Sequence, residues 1–160
     1  RLDQGTQRIS REEADFSELA GVVTDETARA SGKSLAVTKD IQPGIRAEID
    51  VGLMTRLVQN LVENACKYTP EGGAVRVSLD AEGGKLRLTV ADTGIGISKR
   101  DLPHIYERFW QADPSRGADK GSGLGLAMVK QIAEAHGGTL SVVSEPGQGS
   151  EFTFTMDCCN

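Results

Sequence analysis

No run of eighteen apolar residues occurs in the 160-residue chain, so nothing in it reads as a membrane-spanning helix. No stretch has the charged, apolar and small-residue order of a signal peptide. Basic residues are in deficit, 18 Lys and Arg against 23 Asp and Glu, which leaves a net charge of −5. That balance argues against a nucleic-acid binder, which would normally be basic or carry a basic stripe. Cysteine is scarce and odd in number: Cys66, Cys158 and Cys159. No spacing suits zinc, and adjacent cysteines seldom pair, so reduced thiols in a cytosolic protein are expected. Internal repeats are absent too. The length fits one domain able to bury most of its apolar surface. Residues 1–8 are polar and helix-like, the expected trailing end of a helix in a longer protein. Any membrane anchor would then lie upstream.

What is present is a regular succession of elements. Asp15-Phe16-Ser17-Glu18 has the form of a capping box. It predicts a helix to about Ala30, with Leu19, Val22, Val23 and Ala30 as its apolar stripe and Gly32 as its stop. Leu35 and Val37 alternate with polar neighbours, Pro43-Gly44 turns, and Ala47 and Ile49 alternate in reply, which predicts a hairpin. Asp50 caps a long helix over 50–68 that Thr69-Pro70 ends. Val75, Val77 and Leu79, then Glu82-Gly83-Gly84-Lys85, then Leu86, Leu88 and Val90 make the clearest hairpin. A helical stretch over 98–109 follows, then a polar, aperiodic loop over 112–121. A helix over 124–136 stops at Gly137-Gly138, and two strands, 139–144 and 149–156, close the chain around Pro146-Gly147-Gln148-Gly149. Strands and helices in segregated groups predict an α+β fold, a two-layer α/β sandwich.

Three sites carry chemistry. On the 50–68 helix, at roughly 100° per residue, Asn60, Asn64 and Lys67 fall within about 60° of one another. Met54, Val58, Leu61, Val62 and Ala65 point the other way. Amide oxygens suit a hard cation and an ammonium suits phosphate, yet such a row serves equally as the solvated side of an amphipathic helix. Asp92-Thr93-Gly94-Ile95-Gly96-Ile97 follows a strand directly. Its glycines allow close approach of a planar ligand, and Asp92 offers an acceptor for an exocyclic amine. Taken alone it is also compatible with an Asx-capped turn, and it lacks the parallel unit and third glycine of a dinucleotide fingerprint. Gly121-Ser122-Gly123-Leu124-Gly125-Leu126 opens a helix, where freed amides form an anion cradle. No Gly-Lys-Ser/Thr ends the run, so a P-loop is excluded.

Asn60-Leu-Val-Glu63-Asn64-Ala65-Cys-Lys67-Tyr68-Thr69, Asp92-x-Gly94-x-Gly96-Ile97, Glu107-Arg108-Phe109-Trp110 and Gly121-Ser-Gly123-Leu-Gly125-Leu126 stand in one order at even spacing. The set resembles the N box, first glycine box, F box and second glycine box of sensor histidine kinases, over nearly the whole chain. His136-Gly137-Gly138 and Gly149-Ser150-Glu151-Phe152 fit as well. The resemblance implies a mixed, mostly antiparallel sheet covered by helices on one face, the fold shared with gyrase-type, heat-shock and mismatch-repair ATPases. It implies ATP and Mg2+ as cofactors and a protein-histidine kinase activity. Residues 1–10 would be the end of a dimerisation and phosphoacceptor helix, and 11–160 the catalytic domain. By the family pattern Asn64 ligates the metal, Asn60 holds a phosphate oxygen or a metal-bound water, and Lys67 contacts phosphate. Tyr68 packs near sugar and base. Asp92 receives the adenine amino group, with Gly94, Gly96 and Ile97 lining the base pocket. Gly121, Ser122, Gly123, Leu124, Gly125 and Leu126 hold the phosphates under a lid formed by 112–121. Implied partners are the dimerisation domain of a homodimeric protein and a response-regulator receiver domain, with this domain in the cytoplasm of a membrane-anchored whole.

Position 60 separates the branches of that superfamily. Its hydrolases, and relatives that phosphorylate serine, carry a glutamate there to take a proton. Asn60 cannot act as a base, and a neutral imidazole needs none. Neither His104 nor His136 lies in the acceptor surroundings of the family. His104 is expected as a packing residue and His136 as a histidine at a helix carboxy end. Gln111 stands where members usually carry arginine after the two aromatics, so Arg108 or Arg116 would substitute for it, or transfer would be slower.

Overall fold

A computed structural model describes residues 9–107 and 125–159. Among the described residues seven strands and three α-helices follow one another: β1 (Glu12–Asp15), α1 (Phe16–Ala30), β2 (Ala36–Ile41), β3 (Arg46–Ile49), α2 (Val51–Lys67), β4 (Ala74–Glu82), β5 (Lys85–Asp92), α3 (Gly125–Ala135), β6 (Thr139–Glu145) and β7 (Gly149–Asp157). A five-stranded sheet has the order β2-β4-β5-β7-β6, and β1 and β3 form a separate two-stranded sheet. Among the described residues only β2 and β4 run parallel, and every other pair is antiparallel. This is an α+β sandwich with helices on one face of a mixed sheet, the architecture expected from the sequence.

Alternation places one face of each strand inward. Val75, Val77 and Leu79 of β4, Leu86, Leu88 and Val90 of β5, and Phe152, Phe154 and Met156 of β7 are all buried. Phe16, Met54, Leu57, Leu61 and Ile132 meet them from the helices, each worth about 1.5–3 kcal/mol of apolar burial. The outer face carries cross-strand ion pairs, Arg76 with Asp40 (3.0 Å), Arg87 with Asp80 (3.4 Å) and Lys85 with Asp157 (2.7 Å). Exposed pairs of this kind add little stability, and they keep the face wet. Among the described residues no helix is long and apolar enough to cross a membrane.

Both helix caps read from the sequence are in place. Asp15 accepts from the Glu18 N–H (3.0 Å) and Asp50 from the Leu53 N–H (3.1 Å). Five expectations are corrected. The residues on either side of Pro43-Gly44 form no hairpin: β2 pairs with β4, and β3 with β1. The Ser17 hydroxyl donates to the Gln42 carbonyl (2.6 Å) and accepts from the Ile45 N–H (3.0 Å), so the start of α1 holds the turn open and sends its two arms to different sheets. The buried stripe of α1 is Phe16, Ser17, Ala20, Val23, Thr24 and Thr27, while Val22 and Ala30 face solvent. Residues 98–107 form one 3-10 turn, Leu102–His104, instead of a long helix. Pro103 lacks the N–H a continuing helix needs, and His104 and Glu107 bond three residues back. His104 is an exposed residue whose Nδ1 meets Glu107 Oε2 (2.9 Å), not a packing residue. Finally, Cys158 and Cys159 are joined by a disulfide, while Cys66 is a buried free thiol that burial pushes above its usual pKa. The two cysteines leave β7 together beside the β4–β5 turn, where the Cys158 N–H donates to the Gly84 carbonyl (2.8 Å).

Candidate nucleotide-binding site

The apolar side of α2 is buried through Met54, Leu57, Val58, Leu61, Val62, Ala65 and Cys66, which turns the opposite row outward. Asn60 and Asn64 are half-buried and Lys67 is exposed. The Asn60 amide nitrogen lies 3.9 Å from the Met128 sulfur of α3, a weak contact that brings the middle of α2 against the helix whose first turn holds Gly125 and Leu126. The Lys67 ammonium stands 5.1 Å from the Tyr68 ring centroid.

β5 ends at Asp92, opposite Val75 of β4 and Ser150 of β7. Oδ1 of Asp92 accepts from the Gly94 N–H (2.8 Å) and the Ser150 N–H (3.3 Å). Among the described residues both donors go to that one oxygen, so the second is left for an incoming donor. Burial holds the Asp92 carboxyl above the usual carboxylate range, against the two backbone donors that pull it down. A partly desolvated acid at a strand end is a candidate for ligand contact.

The loop after Asp92 is clasped from two sides. The Ile95 N–H donates to the Tyr68 carbonyl at the end of α2 (3.2 Å), and the Gly147 N–H in the β6–β7 turn donates to the Ile95 carbonyl (2.7 Å). Two glycines make these approaches possible. A Cβ on Gly94 would collide with the Tyr68 carbonyl oxygen, and one on Gly96, which sits at φ 75°, with the Glu145 carbonyl. Ser144 ties the far side. Its hydroxyl accepts from the Ile97 N–H (2.8 Å) and donates to the Gly149 carbonyl (2.9 Å), with Ser150 Oγ at 2.9 Å.

Of the residues singled out in the sequence, Asp92 and Gly94 meet Tyr68 at the end of α2, and Gly96 and Ile97 continue the same loop against the end of β6. Asn60, Asn64 and Lys67 line the same helix leading to it, and Gly125 and Leu126 open the neighbouring helix. Gly121, Ser122, Gly123 and Leu124 lie outside the described residues, as do the expected lid over 112–121, Arg108 to Gln111, and the expected helix end at 1–8. Lys33 and Ser144 escaped sequence reasoning, and Gly149 and Ser150 were noted only as part of a run that fits the family, with no contact to Asp92 foreseen. Nothing in Ser-Glu-Pro-Gly-Gln-Gly-Ser itself tells what the turn touches, since those partners lie about fifty residues away.

His136 is buried. Its Nε2 accepts from the Asp50 N–H (3.0 Å) and its Nδ1 donates to the Ile132 carbonyl (2.9 Å), so the ring is the neutral Nδ1–H tautomer. Burial pushes its pKa below the usual 6.5. Both nitrogens are occupied, which leaves none to receive a phosphoryl group. Among the described residues no cluster of three or more His, Cys, Asp or Glu could cage a metal ion. The half-buried amides of Asn60 and Asn64 fit a cation carried largely by phosphate oxygens.

Residues 49–159 match the family model described as histidine kinase-, DNA gyrase B- and HSP90-like ATPase. The sensor-like histidine kinase SenX3 of Mycolicibacterium smegmatis is 37% identical over 158 residues, which are 96% of this chain and 41% of that protein. The phosphate regulon sensor protein PhoR of Pseudomonas aeruginosa is 38% identical over 136 residues, 84% of this chain and 31% of that protein. The chain thus spans about two-fifths or less of the length of these curated relatives. Among solved structures, the mycobacterial sensor histidine kinase MprB superposes with a TM-score of 0.80 at 28% identity, over 93% of this chain and 98% of that one. Full-length ShkA in complex with AMPPNP does so with 0.82 at 31%, over 99% and 34%.

Proposed function

The chain belongs to the histidine kinase-, DNA gyrase B- and HSP90-like ATPase family, as a catalytic domain of the sensor-kinase type, and from that premise we propose that it passes the γ-phosphoryl group of ATP to a histidine outside this chain. The observation that carries the reading is the Asp92 loop. A half-buried carboxylate with one oxygen unclaimed stands above a glycine loop seated on the last turn of α2, which also bears Asn64 and Lys67. The AMPPNP bound to ShkA, a relative of the same fold, supports a nucleotide there.

In this reading Asp92 accepts the adenine amino group, and Gly94, Gly96 and Ile97 form the base pocket with Tyr68 beside it. Asn64 holds Mg2+ through its amide oxygen, and the ion neutralises charge on the phosphates. Asn60 orients a phosphate oxygen or a metal-bound water, and Lys67 contacts phosphate. Gly121, Ser122, Gly123, Leu124, Gly125 and Leu126 supply amides and a hydroxyl to the phosphates. Positioning and charge neutralisation supply the catalysis. Asn60 cannot take a proton from water, and an imidazole acceptor brings its own lone pair.

His136 is sealed and His104 sits on the surface beside Glu107, so the acceptor is assigned to a dimerisation domain, whose trailing end residues 1–10 would be. The phosphoryl group then passes to a response-regulator aspartate, and the full protein is a membrane-anchored homodimer with this domain in the cytoplasm. The test incubates labelled ATP with this chain and a dimerisation fragment. Acid-labile phosphate on the fragment is the expected result. Free phosphate alone would mark a hydrolase, and binding without either product a non-catalytic module.

A further inference from the structure

α2 ends without the device that ends α3. There Gly137, at φ 71°, lets the Gly137 and Gly138 N–H groups fold back on Glu134 (2.9 Å) and Ala133 (2.8 Å), a glycine closure. After α2 come Tyr68, Thr69 and Pro70, and no glycine. A helix end leaves four carbonyls without intrahelical partners, and here they find them elsewhere. The Thr69 hydroxyl donates to the Ala65 carbonyl (2.7 Å). The Lys33 ammonium donates to three carbonyls, those of Cys66 (2.9 Å), Lys67 (3.0 Å) and Thr69 (2.9 Å). The Tyr68 carbonyl between them takes the Ile95 N–H (3.2 Å). A cation at this end also meets the negative pole of the helix dipole.

The last turn of α2 is therefore tied on one side to a lysine 33 positions before Cys66 and on the other to the glycine loop. We propose that Lys33 is a positioning residue for the nucleotide site. It touches no ligand; it fixes the turn that carries Asn64, Lys67 and Tyr68, and through the Tyr68 carbonyl it sets where the Gly94-to-Gly96 backbone sits. An ammonium suits the task, because three donors leave one point toward converging carbonyls, whereas a guanidinium fork is planar and fixed. Without that charge the carbonyls of Cys66, Lys67 and Thr69 lose their shared donor, the turn loosens, and the seat under Gly94 moves. This inference rests on the reading of the site as ATP-binding.

The experiment measures affinity for a non-hydrolysable ATP analogue with Mg2+, amide exchange of Ile95, and thermal stability, in the native chain, Lys33→Met, Lys33→Arg and Gly137→Ala. The last loosens a helix end away from the loop. Lys33→Met is expected to bind about tenfold more weakly, the equivalent of one charge-assisted hydrogen bond, and to exchange Ile95 faster. Lys33→Arg should fall between it and the native chain, and it serves as the readable variant if Lys33→Met does not fold. Gly137→Ala should lose stability with native affinity. Native affinity and native Ile95 exchange in both Lys33 variants would overturn the proposal, as would an equal loss of affinity in Gly137→Ala. A native chain that binds no adenine nucleotide would overturn this inference together with the function reading; a native chain that binds while Lys33 is indifferent would overturn this inference alone.

Discussion

Two hairpins of the five-stranded sheet turn on glycine, for different reasons. Between β4 and β5, Gly83 and Gly84 sit at φ 63° and 79°, the left-handed pair a two-residue hairpin needs. A Cβ on Gly83 would meet nothing. Between β6 and β7, Gly149 sits at φ 88°, and a Cβ there would run into the Asp92 carbonyl. The first turn joins its own strands and takes the Cys158 N–H on the Gly84 carbonyl. The second is a wall of the candidate site, holding Ile95 through Gly147 and Ile97 through Ser144. Both look alike as strings of turn residues. The one beside the candidate site is the one whose backbone is crowded.

Substitution at the two turns should separate them most widely. Gly149→Ala combines a left-handed backbone with a collision against main chain, and is expected to lose about 3 kcal/mol or more of stability together with nucleotide binding. Denaturant unfolding and calorimetric titration would show both losses. A native-like Gly149→Ala would erase the contrast. Asn64→Ala, on the site side but outward-facing, should leave the fold intact and remove about 3 kcal/mol of transition-state stabilisation from phosphotransfer, a rate loss of two orders of magnitude or more. Near-normal transfer by the folded variant would contradict its role.

Asp92→Asn sharpens the comparison by dividing binding from stability. Adenine nucleotide affinity should fall by about 1–3 kcal/mol, since a charged acceptor in a partly desolvated pocket is lost. Stability near neutral pH should hold or rise. The folded carboxyl has its pKa raised above 3.8 by burial, so its contribution is favourable below that value and is lost as pH rises through the folded one. Equal loss of stability and affinity would show Asp92 to be a structural residue.

The other end of α2 answers to acid. His136 is held neutral with its pKa below 6.5, chiefly by burial, and Asp50 has its pKa lowered below 3.8, first by the Ser10 N–H. The unfolded chain therefore binds the imidazole proton first. Stability should fall as pH drops below 6.5 toward the folded value, with a slope of up to about 1.4 kcal/mol per pH unit. Urea titrations between pH 7.5 and 5.5 would show the slope in the native chain and its loss in His136→Gln. The smallest effect is expected at the free turn. Gly83→Ala should cost about 1 kcal/mol from its left-handed backbone alone, with nucleotide affinity unchanged.

Local pattern made much of this legible. The caps at Asp15 and Asp50, the apolar side of α2, and the β4–β5 and β6–β7 hairpins were all readable because their causes lie within a few residues. β1 was not, because Glu12-Glu13-Ala14-Asp15 shows no apolar alternation and is a strand only by pairing with β3. The false hairpin at Pro43-Gly44 came from two real strands whose partners lie elsewhere. In the candidate site, Asn60, Asn64, Lys67, Asp92 and the glycines could be named from residue type and order. Lys33 and Ser144 could not, since each acts on backbone atoms 33 and 47 positions away.

The central claim is that the loop after Asp92, the last turn of α2 and the β6–β7 turn form one ATP site. Amide shifts on titrating a non-hydrolysable ATP analogue with Mg2+ test it most directly. The account predicts saturable changes at Asn64, Lys67, Gly94, Gly96, Ile97 and Gly147, with Gly83 and Gly84 unmoved. Changes spread evenly over both hairpins, or none at the Asp92 loop, would contradict it.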